Sequence, residues 1–261
     1  MNILEKIILH KQEEVKERSR VTPIERIKGS QRLYAIRDFK SALAARDGVQ
    51  IIAEIKRSSP SAGDILADAD PAAVAKAYEQ NGAAAISVLT DQEFFGGQLE
   101  FIQQVKAVTE LPILRKDFII SEYQVWESFQ AGADAILLIA DAIDIELLSK
   151  LYNLAHELGL HVLVEIHNPD YLEPITNLNP EIVGINCRNL KTMETNVEWF
   201  EEAFSQLPKD CIKVAESGIN SPLDLANISQ LGYDAALVGT SLMKSGTPGP
   251  ALAALLKRAP V

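Results

Sequence analysis

The sequence predicts an α/β protein: one (β/α)8 TIM barrel behind an N-terminal helical extension. Three observations carry this reading. Short β-branched runs recur eight times after Gln50, helix-length segments separate them, and several of those segments close on glycine. The strands are expected at Ile51–Lys56, Ala85–Thr90, Ile113–Lys116, Ala135–Ile139, Val162–Ile166, Ile182–Asn186, Ile212–Ala215 and Ala236–Val238. Their unbroken apolar character suits parallel strands covered on both faces. Helices are expected at Pro71–Gln80, Leu99–Val108, Glu122–Ala131 and Ile145–Leu158, with Pro71 and Pro222 placed for a first helical turn. Gly82, Gly132, Gly159 and Gly232 stand where a helix closes on a left-handed residue. Three of them open near-copies of one phrase: Gly82-Ala-Ala-Ala-Ile, Gly132-Ala-Asp-Ala-Ile and Gly232-Tyr-Asp-Ala-Ala. Eight such units in roughly 210 residues fit a closed barrel. An open doubly wound sheet is the alternative, but no G-x-G-x-x-G follows the first strand.

The division expected is residues 1–48 as extension and 49–261 as catalytic barrel, one domain overall. Ile3, Leu4, Ile7, Ile8 and Val15 have helical spacing within a charged segment, and a second helix is expected over Leu33–Arg46. Together they read as a helical plug over an end or flank of the barrel.

The chain of 261 residues has a formal net charge of −11, which argues against a nucleic-acid or anionic-membrane surface. Cations for an anionic ligand must then be gathered locally. Two cysteines, Cys187 and Cys211, make no disulfide framework and no C-x-x-C motif. With no continuous apolar core near the start and no run of ~20 apolar residues, a cytoplasmic protein is expected.

Barrel chemistry sits at the carboxyl ends of the strands, and ionisable residues gather there. Glu54 and Lys56 lie two apart, on one face of strand 1. Strand 3 ends Arg115-Lys116-Asp117, strand 5 carries Glu165, strand 6 ends Asn186-Cys187-Arg188-Asn189 and strand 7 ends Glu216-Ser217-Gly218. Any one of these reads best as a structural ion pair. A ring of them at one height points to a site, because burying charge is expensive without partners or ligand. Ser217-Gly218-Ile219 and Gly239-Thr240-Ser241, after strands 7 and 8, are small-residue turns of the kind that presents backbone N–H groups to phosphate. Two ordinary glycine turns are the plainer reading. The Ser58–Gly63 loop after strand 1 is either a simple surface loop or a lid over substrate. Phe94 and Phe95 are either core aromatics or an apolar wall. His161, Glu165 and His167 share a strand face, but six residues of strand span ~20 Å, so the two histidines cannot share a metal. His167 reads as a packed or hydrogen-bonded residue.

These motifs together resemble indole-3-glycerol phosphate synthase of the tryptophan pathway. The matching phrases are Ile52-Ala-Glu-Ile-Lys-Arg-Ser-Ser-Pro-Ser61, Ile86-Ser-Val-Leu-Thr90, Leu114-Arg-Lys-Asp-Phe118, Leu163-Val-Glu-Ile-His167, Gly184-Ile-Asn-Cys-Arg-Asn-Leu190, Ala215-Glu-Ser-Gly-Ile219 and Val238-Gly-Thr-Ser-Leu-Met243. They stand in the family's order, and Ile3–Ile8 is similar to its N-terminal extension. Cys187 and Thr240 depart from its commonest residues.

The resemblance implies a lyase that converts 1-(2-carboxyphenylamino)-1-deoxyribulose 5-phosphate to indole-3-glycerol phosphate, carbon dioxide and water. It implies Lys116 as general acid, with Glu165, Glu54 and Lys56 candidates for the dehydration and Asn186 orienting substrate. A lysine in a crowded cationic pocket is expected to have a lowered pKa, and Glu165 among cations to be ionised. Arg188 and Lys56 would meet the anionic substrate, and Ser59, Ser61, Glu216 and Ser217 would line the rim. Gly218, Gly239 and Thr240, with Lys56 and Ser59, would hold phosphate. Phe95, Phe118 and Leu137 would wall the anthranilate ring. No metal or organic cofactor is called for. The acidic surface leaves room for transient contact with other tryptophan-pathway enzymes. A sugar-phosphate isomerase on the same barrel, such as phosphoribosylanthranilate isomerase, would explain the phosphate turns but not the Lys56/Lys116/Glu165 set. A non-catalytic phosphate-binding protein would leave Lys116 and Glu165 unexplained.

Overall fold

In a computed structural model, residues 1–44, 48–189 and 192–257 are described. Eight parallel strands close into a barrel in sequence order: β1 (Gln50–Ile55), β2 (Ala85–Leu89), β3 (Ile113–Lys116), β4 (Ala135–Ile139), β5 (His161–Ile166), β6 (Ile182–Asn186), β7 (Ile212–Glu216) and β8 (Ala235–Val238). β1 pairs with β8, Ile51 opposite Ala236, and this pairing shuts the sheet on itself. All eight expected strands are present, each within a residue or two of its expected ends.

Side-chain alternation divides the strands into two sets. Ile51, Ala53, Ile86, Val88, Ile136, Leu138, Val162 and Val164 face outward into the main core beneath the helices. Ile52, Ala85, Leu114, Ala135, Leu137, Leu163, Ile182, Val214 and Leu237 fill the interior. Two residues further along four of the strands, the inward set turns polar: Glu54 above Ile52, Lys116 above Leu114, Glu165 above Leu163, Glu216 above Val214. The period of two thus delivers the ionisable residues to the mouth.

The extension contacts both ends of the barrel. Helix α1 (Ile3–Val21) starts in a capping box between Asn2 and Glu5 and runs along the mouth. The second expected helix is corrected. Residues 24–28 form a short helix (α2, Ile24–Lys28), and the Leu33–Arg46 stretch is helical only over Phe39–Leu43 (α3), its end lying outside the described residues. The reason is local. Arg32 gives its guanidinium hydrogen bonds to the Phe129 and Ala133 carbonyls, and the Arg37 backbone N–H donates to Asp134. The segment therefore spends its polar groups on the barrel base, and Asp38 caps a helix that begins only after it. Phe39 and Leu43 are fully buried in the interior cluster, while Asp38 meets His161 and Lys40 meets Glu181 at the strand entrances.

The outer helices are α4 (Pro71–Gln80), α5 (Gln92–Phe95), α6 (Glu100–Lys106), α7 (Glu122–Ala131), α8 (Ile145–Glu157), α9 (Leu172–Leu178), α10 (Trp199–Phe204), α11 (Pro222–Leu231), α12 (Thr240–Lys244) and α13 (Pro248–Leu255). α4 and α7 match their expected spans, and α6 and α8 fall slightly within theirs. The repeated phrase has a physical basis. Gly132 and Gly232 close α7 and α11 at φ 98° and 97°, a conformation that strains any residue bearing a Cβ. Two residues on, Asp134 accepts the backbone N–H of Ile113 and Asp234 accepts that of Lys213, both at 2.8 Å and both across 21 residues. Each aspartate pins the start of one strand to the start of the next.

Candidate active site

All sixteen candidate residues line one open cavity of about 1050 Å³ at the carboxyl ends of the strands. That space, solvent mouth included, suits a ligand of drug-like size. Three carboxylates and two lysines occupy its floor. Lys116 Nζ lies 3.1 Å from Glu165 Oε2 and 3.8 Å from Glu216 Oε2, and Lys56 Nζ lies 2.5 Å from Glu54 Oε1.

These charges correct one expectation. Burial alone would push the Lys116 amine down, but Glu165, Glu216 and Glu54 more than reverse this, and its pKa is raised. The pocket around Lys116 is dominated by carboxylates rather than cations. Glu165 behaves as expected. Burial opposes its ionisation, Lys116 and His167 outweigh burial, and its pKa falls well below the usual value. Glu54 is likewise lowered against burial by Lys56 and Lys116. Glu216 goes the other way: burial and the adjacent Glu165 hold it well above the carboxylate range. Neither Glu216 oxygen has a hydrogen-bond donor among the described residues, and the residue is buried on the barrel floor rather than on the rim. Of the three carboxyls in the ring, Glu216 is thus the one whose surroundings favour the protonated form.

Two glycines make room for these carboxyls. A Cβ on Gly184 would stand 2.2 Å from Glu216 Oε1, and one on Gly239 would stand 2.2 Å from Glu54 Oε1. Gly239 therefore clears space for a carboxylate as well as lying in the expected phosphate turn. In the other turn, Ser217 and Gly218 are both left-handed, at φ 68° and 71°. For serine this is uncommon and costs on the order of 1 kcal/mol, the kind of strain found at binding sites. Ser241 Oγ donates to the Ile219 carbonyl at 3.3 Å and ties the two turns together.

The remaining candidates frame the mouth. Phe95 and Phe118 rings pack with centroids 6.1 Å apart beside the buried Leu137, forming an apolar wall. Ser58–Ser59 and Gly63–Asp64 make a small hairpin in the loop after β1, and Arg188 reaches Ser61 Oγ at 3.3 Å across the opening. Asn186 Oδ1 accepts the Arg188 backbone N–H at 3.0 Å. Arg115, next to Lys116, points outward and is fully buried against Asp117 and Glu127.

Four participants were not singled out from sequence. Ile3 and Ile7 of α1 line the cavity. Lys11, buried, meets Asp91 at 2.9 Å and Asp117 at 3.0 Å, and these carboxylates raise its pKa to about 12 against burial. It fixes α1 to the loops after β2 and β3. A lysine amid a charged helix looks solvent-facing, so its pattern concealed it. Of the two expectations for His167, packed or hydrogen-bonded, the second holds: it contacts Glu165 Oε1 through Nε2 and the Arg188 carbonyl through Nδ1 at 2.8 Å. His161, at the opposite end of β5, pairs with Asp38.

A sequence model of the family described as indole-3-glycerol phosphate synthase matches residues 4–255. The indole-3-glycerol phosphate synthase of Rhodopirellula baltica is 43% identical over 245 residues, 94% of this chain and 95% of the relative. That of Thermoanaerobacter pseudethanolicus is 43% identical over 242 residues, covering 93% and 92%. Among solved structures, orotidine 5'-phosphate decarboxylase from Pyrococcus horikoshii aligns with TM-score 0.59 at 15% identity, over 79% of this chain and 97% of that one. This last likeness concerns the barrel fold alone. By the family match and by the relatives' identity over nearly their whole length, this chain belongs to the indole-3-glycerol phosphate synthase family.

Proposed function

We propose a division of labour in the barrel mouth for the family's reaction, the decarboxylating ring closure that yields indole-3-glycerol phosphate in tryptophan biosynthesis. The substrate is 1-(2-carboxyphenylamino)-1-deoxyribulose 5-phosphate. Its ring carbon bearing the carboxylate attacks the ketone carbon, and negative charge develops on the ketone oxygen. Lys116 protonates that oxygen. A raised lysine pKa does not impede this step, because a developing alkoxide is far more basic than an amine. The carboxylate then leaves as carbon dioxide, and its bonding electrons restore ring aromaticity. Loss of the hydroxyl as water, with removal of a proton, completes the indole. The dehydration needs one acid and one base. Glu165, ionised and 3.1 Å from Lys116, takes up and returns protons, with Glu54 and Lys56 as the second acid–base pair.

Binding follows the same floor plan. Phosphate rests against the Ser217–Gly218 and Gly239–Thr240 turns with Ser59 and Lys56 nearby. The aromatic ring lies on Phe95, Phe118 and Leu137. Arg188, Asn186 and Ser61 meet the polar middle of the substrate. Residues 1–48 act as a closing extension to a catalytic barrel of residues 49–261. Among the described residues no helix is long and apolar enough to cross a membrane, and both cysteines are free and buried, which supports a cytoplasmic enzyme. Transient contact with other enzymes of the pathway is compatible with the acidic chain.

The observation that carries the proposal is the Lys116 ammonium held inside the barrel among three carboxyls. Lys116→Met should keep the circular dichroism spectrum and lower kcat by roughly 10²–10⁴-fold, followed by indole absorbance. A near-native kcat would remove Lys116 from the acid role.

A further inference from the structure

His167 directly follows β5, two residues beyond Glu165, and is buried. It does not line the substrate cavity, whereas Glu165 does. Its ring lies between two acceptors. On one side Nδ1 lies 2.8 Å from the Arg188 carbonyl oxygen, and on the other Nε2 contacts Glu165 Oε1. A carbonyl oxygen only accepts, so Nδ1 carries a hydrogen. A neutral imidazole would then present a bare Nε2 lone pair to a carboxylate, two acceptors in contact. The contact is bonded only if one further proton lies between them. The pair therefore contains one proton more than a neutral histidine beside an ionised glutamate.

The groups around the ring favour keeping that proton on the histidine side. Asp141 accepts the His167 backbone N–H at 3.1 Å, and Glu165 faces the ring directly. Burial disfavours the imidazolium, but Glu165, the Arg188 carbonyl and Asp141 outweigh it and raise the His167 pKa. The cations beside this pair are Lys116, whose Nζ meets the other Glu165 oxygen at 3.1 Å, and Arg188, whose guanidinium turns toward Ser61. Glu216, on the floor beside Glu165, is raised above the usual carboxylate range by burial and by Glu165 itself.

The geometry thus separates the two oxygens of one carboxylate. We propose that His167 is a positioning residue for Glu165: it holds Oε1 through a shared proton, so that Oε2 alone exchanges protons with Lys116 and substrate. The Arg188 carbonyl, anchoring the ring from behind, links this arrangement to the loop whose guanidinium meets Ser61 across the mouth. The loop after β6 and the protonation of Glu165 are then connected by one imidazole. This rests on the assignment of Glu165 to proton transfer.

Two measurements test it. The chain has four histidines, so nitrogen-15 NMR of histidine-labelled wild-type protein resolves each ring. One ring should keep both nitrogens protonated well above pH 6.5, the ordinary histidine value, and that signal should vanish in His167→Asn. A neutral ring with a bare Nε2 at pH 7 overturns the proposal. This readout needs no turnover, so its outcome is independent of the roles assigned to Lys116 and Glu165. His167→Asn keeps a polar group but cannot carry the proton. Loss of the cation should move the acidic limb of the kcat–pH profile upward by about one unit or more. kcat should fall about tenfold at its optimum, and KM should change less than about threefold, the split expected for a transition-state effect. A limb that stays in place in the folded variant reduces His167 to a packing residue and overturns the proposal.

Discussion

The units β3–α7–β4 and β7–α11–β8 are the same device built twice, with residue numbers that differ by 100: Lys116 and Glu216, Ser121 and Ser221, Gly132 and Gly232, Asp134 and Asp234. The scaffold bonds coincide. Gln124 accepts the Ile120 N–H and Asp224 accepts the Asn220 N–H, each at 2.9 Å. The aspartate after each glycine pins the preceding strand. At the mouth the two units diverge. One presents Lys116-Asp117-Phe118, an ammonium, a buried anchor and an apolar ring. The other presents Glu216-Ser217-Gly218, a buried carboxyl and a left-handed turn. The frame around the strand starts is therefore independent of the chemistry at the strand ends, and two equivalent frames place a cation and a carboxyl 3.8 Å apart across the barrel.

The largest test of this equivalence lies at the base. Asp134 also neutralises the buried Lys106, 2.5 Å away. Burial, helped by Arg37 and Arg32, already pushes that amine down to about 8 despite Asp134. Asp134→Ala should cost about 3–5 kcal/mol in urea denaturation, since it strands a buried cation. Asp234→Ala removes one backbone acceptor and should cost about 1–3 kcal/mol. Equal losses would mean that the backbone bond, common to both units, dominates.

Next comes the anchor that only one unit has. Burial would raise Asp117, but Arg115 and Lys11 hold its carboxyl far below the usual value. A depressed folded pKa contributes stability that is fully present above the unfolded value, near 4, and is lost as pH falls below it. Wild type should therefore lose more stability than Asp117→Asn between pH 5 and pH 3, by about 1 kcal/mol. Parallel stability–pH curves would remove Asp117 from the acid response.

The smallest effect concerns the head of the other unit. Gly184→Ala places a methyl where Glu216 Oε1 now lies. The carboxyl must move, and kcat should fall about tenfold while the melting temperature drops only a few degrees. Unchanged kcat would show that Glu216 tolerates displacement.

The contrast between frame and head also explains what sequence could reveal. Strand positions were legible because inward and outward residues alternate between two apolar sets, and parallel strands need both. The site was legible because chemistry at a barrel mouth follows strand ends, so Glu54, Lys116, Glu165 and Glu216 could be placed by period alone. Three things were not. The sign of the Lys116 shift depends on which charges converge in space, and the linear order hid three carboxyls around one amine. The role of Gly184 is the absence of an atom beside a residue 32 positions away, which no local pattern records. Residues 33–38 look helical, yet Arg32 just before them donates to the Phe129 carbonyl and the Arg37 backbone N–H to the Asp134 carboxylate, each 97 residues downstream.

The contacts of the extension also have a meaning in time. Lys40 finds its partner Glu181 only 141 residues further along the chain. At a synthesis rate of about 5–20 residues per second, it waits roughly 7–28 s for that partner to emerge. During that interval Ile3, Leu4, Ile7, Phe39 and Leu43, all destined for the barrel interior or its mouth, have no closed barrel to cover them. The ends of the barrel can be sealed only after its sheet has closed. The extension is made before the strands that cover it and is thus among the last segments to settle, and until then the nascent chain carries its own exposed apolar surface as a substrate for chaperones.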